Sequence, residues 1–142
     1  MAESFKDLME NAGSAWDFIN NFPVPECGPV KMTDETSKEL LFWSSEEEKS
    51  CPHKTFVTIS QKGVHAGFID LRPGQYGPFD VHPNGHEVFI TLEGECTAVC
   101  GDLVKDVKKG EVMFCPAGMK HRFYNFTDKF CRVFFVIGGD MM

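Results

Sequence analysis

The 142-residue sequence has no long hydrophobic run and no excess of basic residues. Its longest apolar stretch, around Val133 to Ile137, is far too short to span a membrane, and its first residues lack the positive start and apolar stretch of a secretory signal. Fourteen basic residues are outnumbered by 21 acidic ones, and this balance argues against a surface that neutralises phosphates. We therefore expect a cytoplasmic protein whose partner is a small molecule, and neither nucleic acid nor a membrane.

The six cysteines include no Cys-x-x-Cys pair. A chain of this size does not need disulfides to fold, so we predict reduced thiols. The shortest spacing, Cys96 to Cys100, has no second pair that would complete a tetrahedron of ligands. This pattern argues against a structural zinc site.

Phenylalanine is abundant, with 14 residues against only 2 tyrosines, and so many apolar rings need a thick core or an apolar partner surface. The length suits one domain. Near the start of the chain, apolar residues from Phe5 to Ile19 recur at helical spacing until Pro23 and Pro25 stop the pattern. We predict a short helical arm and connector over residues 1–30 and a β-domain over residues 31–142.

Short β-type runs fill the second part of the chain, and Gly, Pro, Asn and Asp turn signals separate them every 8 to 15 residues. This rhythm is typical of an antiparallel sandwich or barrel. The charged stretch from Lys105 to Lys109 is interpreted as part of a turn. The predicted strands are Glu39–Trp43, Thr55–Ser60, Ala66–Leu71, Glu87–Leu92, Cys96–Val99, Glu111–Cys115, His121–Phe126 and Cys131–Ile137.

Alternation within two of these runs predicts which side chains face inward. If Glu87 and His121 face the interior, the opposite face of both strands is apolar and needs a cover. The N-terminal arm or a second subunit is the available cover, and a homodimer is predicted. The apolar outer positions are Val88, Ile90, Leu92, Tyr124 and Phe126.

Histidine and carboxylate side chains cluster around two turns. His82, His86 and Glu87 lie around a tight turn that enters one strand, and His121 begins another strand after a second turn. If these strands are neighbours, imidazole and carboxylate groups converge in the interior. A buried carboxylate beside two imidazoles is costly unless a cation or strong hydrogen bonds satisfy it, and a divalent metal ion is the simplest solution.

The spacing of these residues resembles the two motifs of the cupin superfamily. The resemblance implies an all-β fold, the double-stranded β-helix or jelly-roll barrel of a small single-domain cupin, after the short N-terminal helical segment. It covers about a third of the chain and is specific for the fold, since the superfamily hosts many functions. The first motif is matched by Gly74, Asp80, His82, Glu87 and Gly94. The second is matched by Gly110, Pro116, Gly118, His121 and Asn125.

The resemblance implies that His82, Glu87 and His121 bind one divalent metal ion per chain, which could be Fe, Mn, Ni or Zn. Asp80 stands where the family most often has its first histidine ligand. It is either a fourth ligand or a hydrogen-bond acceptor behind the ligands. His86 directly precedes Glu87, and neighbouring residues of a strand face opposite sides of the sheet. The side chain of His86 is therefore expected to point away from the interior, unless the Asn84-Gly85 turn redirects it.

The two interpretations of Asp80 predict different chemistry. Two histidines and one carboxylate leave open positions on a non-haem iron ion, which favours a dioxygenase. A fourth ligand favours Lewis-acid work by an isomerase, lyase or decarboxylase. A small-molecule sensor or carrier without turnover is the alternative to both enzymes. The residues that share faces with the predicted ligands, and are expected to form the pocket wall, are Phe89, Thr91, Phe123 and Asn125.

Four further histidine and arginine residues lie outside the two motifs. His53 and His65 lie outside both motifs, and each is expected to be a surface or hydrogen-bonded histidine rather than a ligand. Arg72 or Arg132 would meet an anionic substrate if it faces inward.

Overall fold

A computed structural model of the chain describes residues 27–40 and 52–141. Most of the predicted N-terminal arm, including the helical pattern from Phe5 to Ile19, lies outside these residues, as does Cys51. The described residues form nine β-strands and no helix. The strands are β1 (Lys38–Leu40), β2 (Lys54–Gln61), β3 (Val64–Leu71), β4 (Gly85–Glu93), β5 (Glu95–Cys100), β6 (Leu103–Lys108), β7 (Val112–Cys115), β8 (His121–Tyr124) and β9 (Cys131–Gly139).

The strands form two antiparallel sheets. The larger sheet has six strands in the order β1-β2-β3-β9-β4-β7, and the smaller has three in the order β6-β5-β8. Strands β3, β9 and β4 lie in the middle of the large sheet, where phenylalanine and β-branched residues are well suited to a pleated, buried surface. This arrangement confirms the all-β jelly roll that the sequence predicts.

The core consists of the inward-facing residues of both sheets. In β4 the alternation is as predicted, because Glu87, Phe89 and Thr91 are buried whereas Val88 and Leu92 are exposed. The same period places His121 inside at the start of β8. Polar and charged side chains at the start of two strands therefore reach the same interior as the apolar core.

Strand β6 was not predicted. Its sequence, from Leu103 to Lys108, has three apolar and three charged residues without strict alternation, and only Val107 is buried. The strand lies at an edge of the small sheet and pairs only with β5 among the described strands. Edge strands carry charged side chains because these discourage pairing with other chains, which explains why the segment resembles a turn in the sequence.

Two glycine turns connect the strands that carry the site. Gly94 has a positive φ of 72°, and a Cβ atom there would lie 2.3 Å from the Phe130 carbonyl oxygen, so only glycine fits between β4 and β5. The Gly118 amide, in the turn before β8, donates a hydrogen bond to the His82 carbonyl at 2.9 Å. This bond ties the second motif directly to the first.

The exposed apolar residues do not form the single surface that the sequence suggests. Val88, 41% exposed, pairs with Phe114, 57% exposed, across β4 and β7 of the large sheet. Tyr124 and Phe126 stack on each other with ring centroids 5.0 Å apart, and Tyr124 belongs to the small sheet. The apolar positions are therefore divided between two sheets.

No helix in the described segments is long and apolar enough to cross a membrane. Five cysteines lie within these segments as free thiols, and four of the five are buried.

Candidate metal centre

Strand pairing brings the two sequence motifs together at one end of the barrel. Glu87 lies near the start of β4, and His121 is the first residue of β8. Asp80, in the loop before β4, forms an isolated antiparallel bridge with His121, with N–O distances of 2.8 and 2.9 Å in the two directions. This bridge, which joins residues 41 positions apart in the chain, places the Asp80 carboxylate beside the His121 imidazole.

Four side chains with metal-ligand chemistry converge there. Oε2 of Glu87 lies 2.5 Å from Nε2 of His121 and 3.5 Å from Nε2 of His82. Ligand atoms of Asp80, His82 and His121 all lie within 4.8 Å of one another. Both imidazoles and Glu87 are buried, and Asp80 is half-buried. The structure thus brings together all four residues that the sequence selected.

Backbone carbonyl groups fix both imidazoles in the tautomer that suits a metal. Nδ1 of His82 contacts the Met141 carbonyl oxygen, and Nδ1 of His121 lies 3.2 Å from the Met119 carbonyl oxygen. A carbonyl oxygen only accepts hydrogen bonds, so each Nδ1 carries the hydrogen and donates. Each Nε2 is then the nitrogen that would bind a metal ion, and without a metal ion Nε2 of His121 carries a proton that faces Glu87.

Charge is strongly coupled within the cluster. Burial alone would raise the pKa of Glu87, but His121 and His82 lower it to about 2. Burial likewise acts to lower the pKa of His121, and Glu87 overcomes this effect and raises it to about 9. Burial raises the pKa of Asp80 to about 6. In the metal-free protein a protonated His121 therefore supplies the positive charge that Glu87 needs, and a bound cation can take over that role.

The donor atoms fit a divalent cation. Oδ1 of Asp80 is buried and has no hydrogen-bond partner, and Oε2 of Glu87 and Nε2 of His121 are buried facing only each other and the cluster. Leaving a buried oxygen unsatisfied is costly, and a cation among these atoms would contact all three at once. Imidazole nitrogen together with carboxylate oxygen is a donor set for Mn, Fe, Ni or Zn.

A small pocket with a cavity volume of about 20 Å³ adjoins the cluster. Of the four predicted wall residues, only Phe123 lines it; Phe89, Thr91 and Asn125 lie elsewhere in the interior. The Thr91 hydroxyl donates to the Val107 carbonyl, and the Asn125 amide donates to the Leu71 and Lys129 carbonyls, so both serve the fold. The residues that line the pocket are Leu40, His53, Thr55, Ile69, Gly77, Pro78, Asp80, His82, Glu87, Phe123, Phe135, Ile137 and Met141.

Other charged and imidazole groups lie away from the pocket. His86 is exposed and accepts a hydrogen bond from the Ala117 amide at 3.0 Å. Arg132 forms a bidentate pair with Asp70 at 2.7 and 3.0 Å, and Arg72 is exposed. Neither arginine is among the residues that line the pocket.

Sequence reasoning missed His53 and Met141. Both line the pocket, and neither belongs to a motif. Met141 acts through its backbone carbonyl, for which a sequence carries no signal. His53 enters the pocket wall because its amide donates to the Tyr76 carbonyl at 3.0 Å, a contact between segments distant in sequence.

Comparisons with known proteins agree with this architecture. A germin-like protein of Morus alba is 37% identical over 71 residues, which is 46% of this chain and 34% of that protein, so the match spans about a third of the relative's length. An uncharacterized Klebsiella pneumoniae protein with a double-stranded β-helix domain has a TM-score of 0.66 at 19% identity, over 82% of this chain and 95% of that one. Oxalate oxidase in complex with the substrate analogue glycolate has a TM-score of 0.54 at 20% identity, over 56% and 44% of the two chains.

The two solved structures are distant in sequence and show a shared fold alone. The family model for the cupin domain matches residues 67–137, which include β4, β8 and all four residues of the cluster. That range is half of the chain. The protein therefore belongs to the cupin family.

Proposed function

We propose that this cupin is a metal-dependent enzyme that oxidises a small organic molecule with dioxygen. The observation that carries the proposal is the convergence of buried metal-ligand atoms from Asp80, Glu87 and His121, with His82 beside them, next to a pocket that Asp80, His82 and Glu87 line. Similarity to a germin-like protein and to the fold of oxalate oxidase supports it. The homodimer and the cytoplasmic location that the sequence predicts remain part of the proposal.

The residues of the chain have distinct roles in this proposal. His82, Glu87 and His121 hold the metal ion, and the Met141 and Met119 carbonyls hold the two imidazoles in position. Organic molecules do not readily transfer electrons to dioxygen by themselves. A redox-active divalent ion such as iron(II), when bound, would supply this electron transfer. The apolar part of the wall, including Phe123 and Phe135, excludes bulk water from the reacting molecule.

The position of Asp80 favours a second candidate function. Because its carboxylate lies within 4.8 Å of the ligand atoms of His82 and His121, Asp80 is placed to be a fourth ligand. Four protein ligands leave fewer open positions, which suits isomerisation, elimination or decarboxylation by a Lewis acid. Asp80→Ala separates the two arrangements. A loss of metal affinity as large as that of His82→Ala indicates a ligand, and retained affinity indicates a hydrogen-bond acceptor behind the ligands.

Oxygen uptake tests the proposal. Metal-free protein is loaded anaerobically with iron(II) or zinc, mixed with small chelating acids such as glycolate, and followed with an oxygen electrode and by product analysis. The proposal predicts oxygen uptake that needs both iron and one of these molecules, and that His121→Ala abolishes. Conversion without oxygen uptake, or equally with zinc, supports the Lewis-acid candidate. Tight binding without conversion under either condition contradicts both enzymes and supports a sensor or carrier.

A further inference from the structure

His53 is a buried imidazole that the metal site does not use. It is 6% exposed and lines the pocket together with Asp80, His82 and Glu87. Its Nε2 atom lies 2.7 Å from the Thr55 hydroxyl, whereas its Nδ1 atom is buried and has no hydrogen-bond partner. A buried polar atom left in this way destabilises the fold, so its retention at a pocket wall calls for a functional explanation.

The ring of His53 is fixed in place. The Thr55 hydroxyl contacts Nε2 on one side of the ring. The other side packs against the backbone of Gly77, where an added Cβ atom would lie 2.8 Å from Cε1 and 3.1 Å from Nδ1 of His53. The Gly77 amide donates to the Phe123 carbonyl at 2.9 Å, so this backbone is itself held by β8. The Thr55 hydroxyl and the Gly77 backbone therefore hold the ring in place at the pocket wall, with Nδ1 left without a hydrogen-bond partner.

The imidazole of His53 is neutral under ordinary conditions. Burial lowers its pKa to about 4, although the nearby Tyr76 carbonyl opposes this effect, and the Arg122 charge lowers it further. A neutral imidazole has one N–H donor and one acceptor nitrogen, and the Thr55 hydroxyl pairs with either. Nδ1 is then the donor in one tautomer and the acceptor in the other. A hydroxyl group on a ligand satisfies both cases, because it donates and accepts.

The remaining wall excludes a second negative charge. Among the described residues that line the pocket there is no lysine or arginine, and the polar side chains besides His53 and Thr55 are Asp80, His82 and Glu87 of the metal cluster. Arg122, whose charge reaches His53, donates to the Gly77 carbonyl at 2.7 Å and does not line the pocket. A second carboxylate on the bound molecule would therefore be buried without a cationic partner in the wall, at high cost. A hydroxyl would instead pair with His53.

We infer that His53 contacts the substrate, and that the substrate is a small metal-chelating acid with an outer hydroxyl group rather than a second carboxylate. This inference rests on the proposed function in one respect, because it assumes that the chelating end of the molecule binds a metal ion held by the cluster of Asp80, His82, Glu87 and His121. It distinguishes this cupin from an enzyme for dicarboxylates.

Three probe molecules with the same chelating end test the inference. Lactate, glycerate and tartronate share a carboxylate and a 2-hydroxyl, and they carry a methyl, a hydroxymethyl and a second carboxylate, respectively, at the next position. Each is titrated into the cobalt(II)-loaded protein, and binding is followed by the visible spectrum of cobalt. Glycerate should bind about tenfold more tightly than lactate or tartronate, which is the effect of one buried hydrogen bond.

Substitutions assign that preference to His53. His53→Phe keeps a ring but removes both nitrogens, so lactate and glycerate should then bind within about twofold of each other. His53→Asn keeps a polar group near the position of Nδ1 and should restore part of the preference, which also guards against misfolding of the phenylalanine variant. His65→Phe is the matched control. His65 is another buried histidine, but its Nδ1 bonds Ser60 at 2.7 Å and it does not line the pocket, so the preference should be unchanged.

Equal binding of glycerate and lactate by the wild-type protein would overturn the inference. So would an unchanged glycerate preference in a folded, cobalt-loaded His53→Phe protein, or tighter binding of tartronate than of glycerate. These measurements need metal and ligand binding but no turnover. A protein that shows the preference and converts nothing would therefore contradict the proposed enzyme while supporting the role of His53.

Discussion

Replacing His121 with alanine should destabilise the metal-free protein by about 3 kcal/mol at pH 6. Glu87 is buried, yet His121, with help from His82, lowers its pKa from 4.5 to about 2. Each pH unit of that difference corresponds to about 1.4 kcal/mol, so the interaction is worth about 3 kcal/mol. Without His121, Glu87 would be a buried charge with too little compensation.

The pH of the measurement follows from the signs of the two pKa changes. The lowered pKa of Glu87 stabilises the fold above pH 4.5, and this contribution is lost as pH falls toward 2. The raised pKa of His121 stabilises the fold below pH 6.5, and this contribution is lost as pH rises toward 9. Both changes describe the same ion pair and are not added. At pH 6 the pair contributes fully.

Urea denaturation of EDTA-treated protein measures the effect. The comparison uses wild type, His121→Ala, Glu87→Gln and the double variant. Adding Glu87→Gln to His121→Ala should restore about 2 kcal/mol, because the uncompensated charge of Glu87 is then gone. A loss below about 1 kcal/mol in His121→Ala, or strictly additive losses in the double variant, would refute this account of the cluster.

Three further predictions concern other parts of the molecule. Burial lowers the pKa of His53 from 6.5 to about 4, so between these pH values the unfolded chain binds a proton that the folded chain does not. The free energy of unfolding should therefore fall by up to about 3 kcal/mol as the pH is lowered from 6.5 to 4. A His53→Phe protein whose urea midpoint declines equally would contradict this. Light scattering should give twice the chain mass of 16.0 kDa, and Phe114→Glu should give one chain mass; a monomeric wild type would exclude the dimer. Ending the chain after Asp140 removes the Met141 carbonyl that His82 contacts, and should weaken metal binding about 10- to 100-fold. Met141→Ala keeps that carbonyl and should bind metal with the affinity of the wild type. Equal affinities of the shortened and full-length proteins in calorimetry would show that the carbonyl is dispensable.

Local pattern was sufficient to predict much of the fold. Strands β2, β3, β4, β5, β7, β8 and β9 all overlap predicted runs, because alternation and turn residues are properties of neighbouring positions. The inward face of Glu87 and His121 follows from the same alternation. The two motifs added the pairing of distant segments, which local pattern does not contain.

The features that were missed depend on contacts between distant segments. Strand β6 exists because β5 offers it an edge, although its own residues are mostly charged or exposed. Asp80 was selected from its motif position, but the bridge that places it beside His121 was not foreseen. His53 enters the pocket through a hydrogen bond to Tyr76. None of these contacts leaves a periodic signal in the sequence.

The central claim is that the cluster of Asp80, His82, Glu87 and His121 holds a divalent metal ion. Elemental analysis of protein purified without oxygen tests it most directly. The account predicts close to one metal ion per chain in the wild type and in a His65→Ala control, and a large loss in both His121→Ala and Glu87→Ala. Wild-type protein without bound metal that also fails to take up manganese, iron, nickel or zinc, or full metal content in either cluster variant, would contradict it.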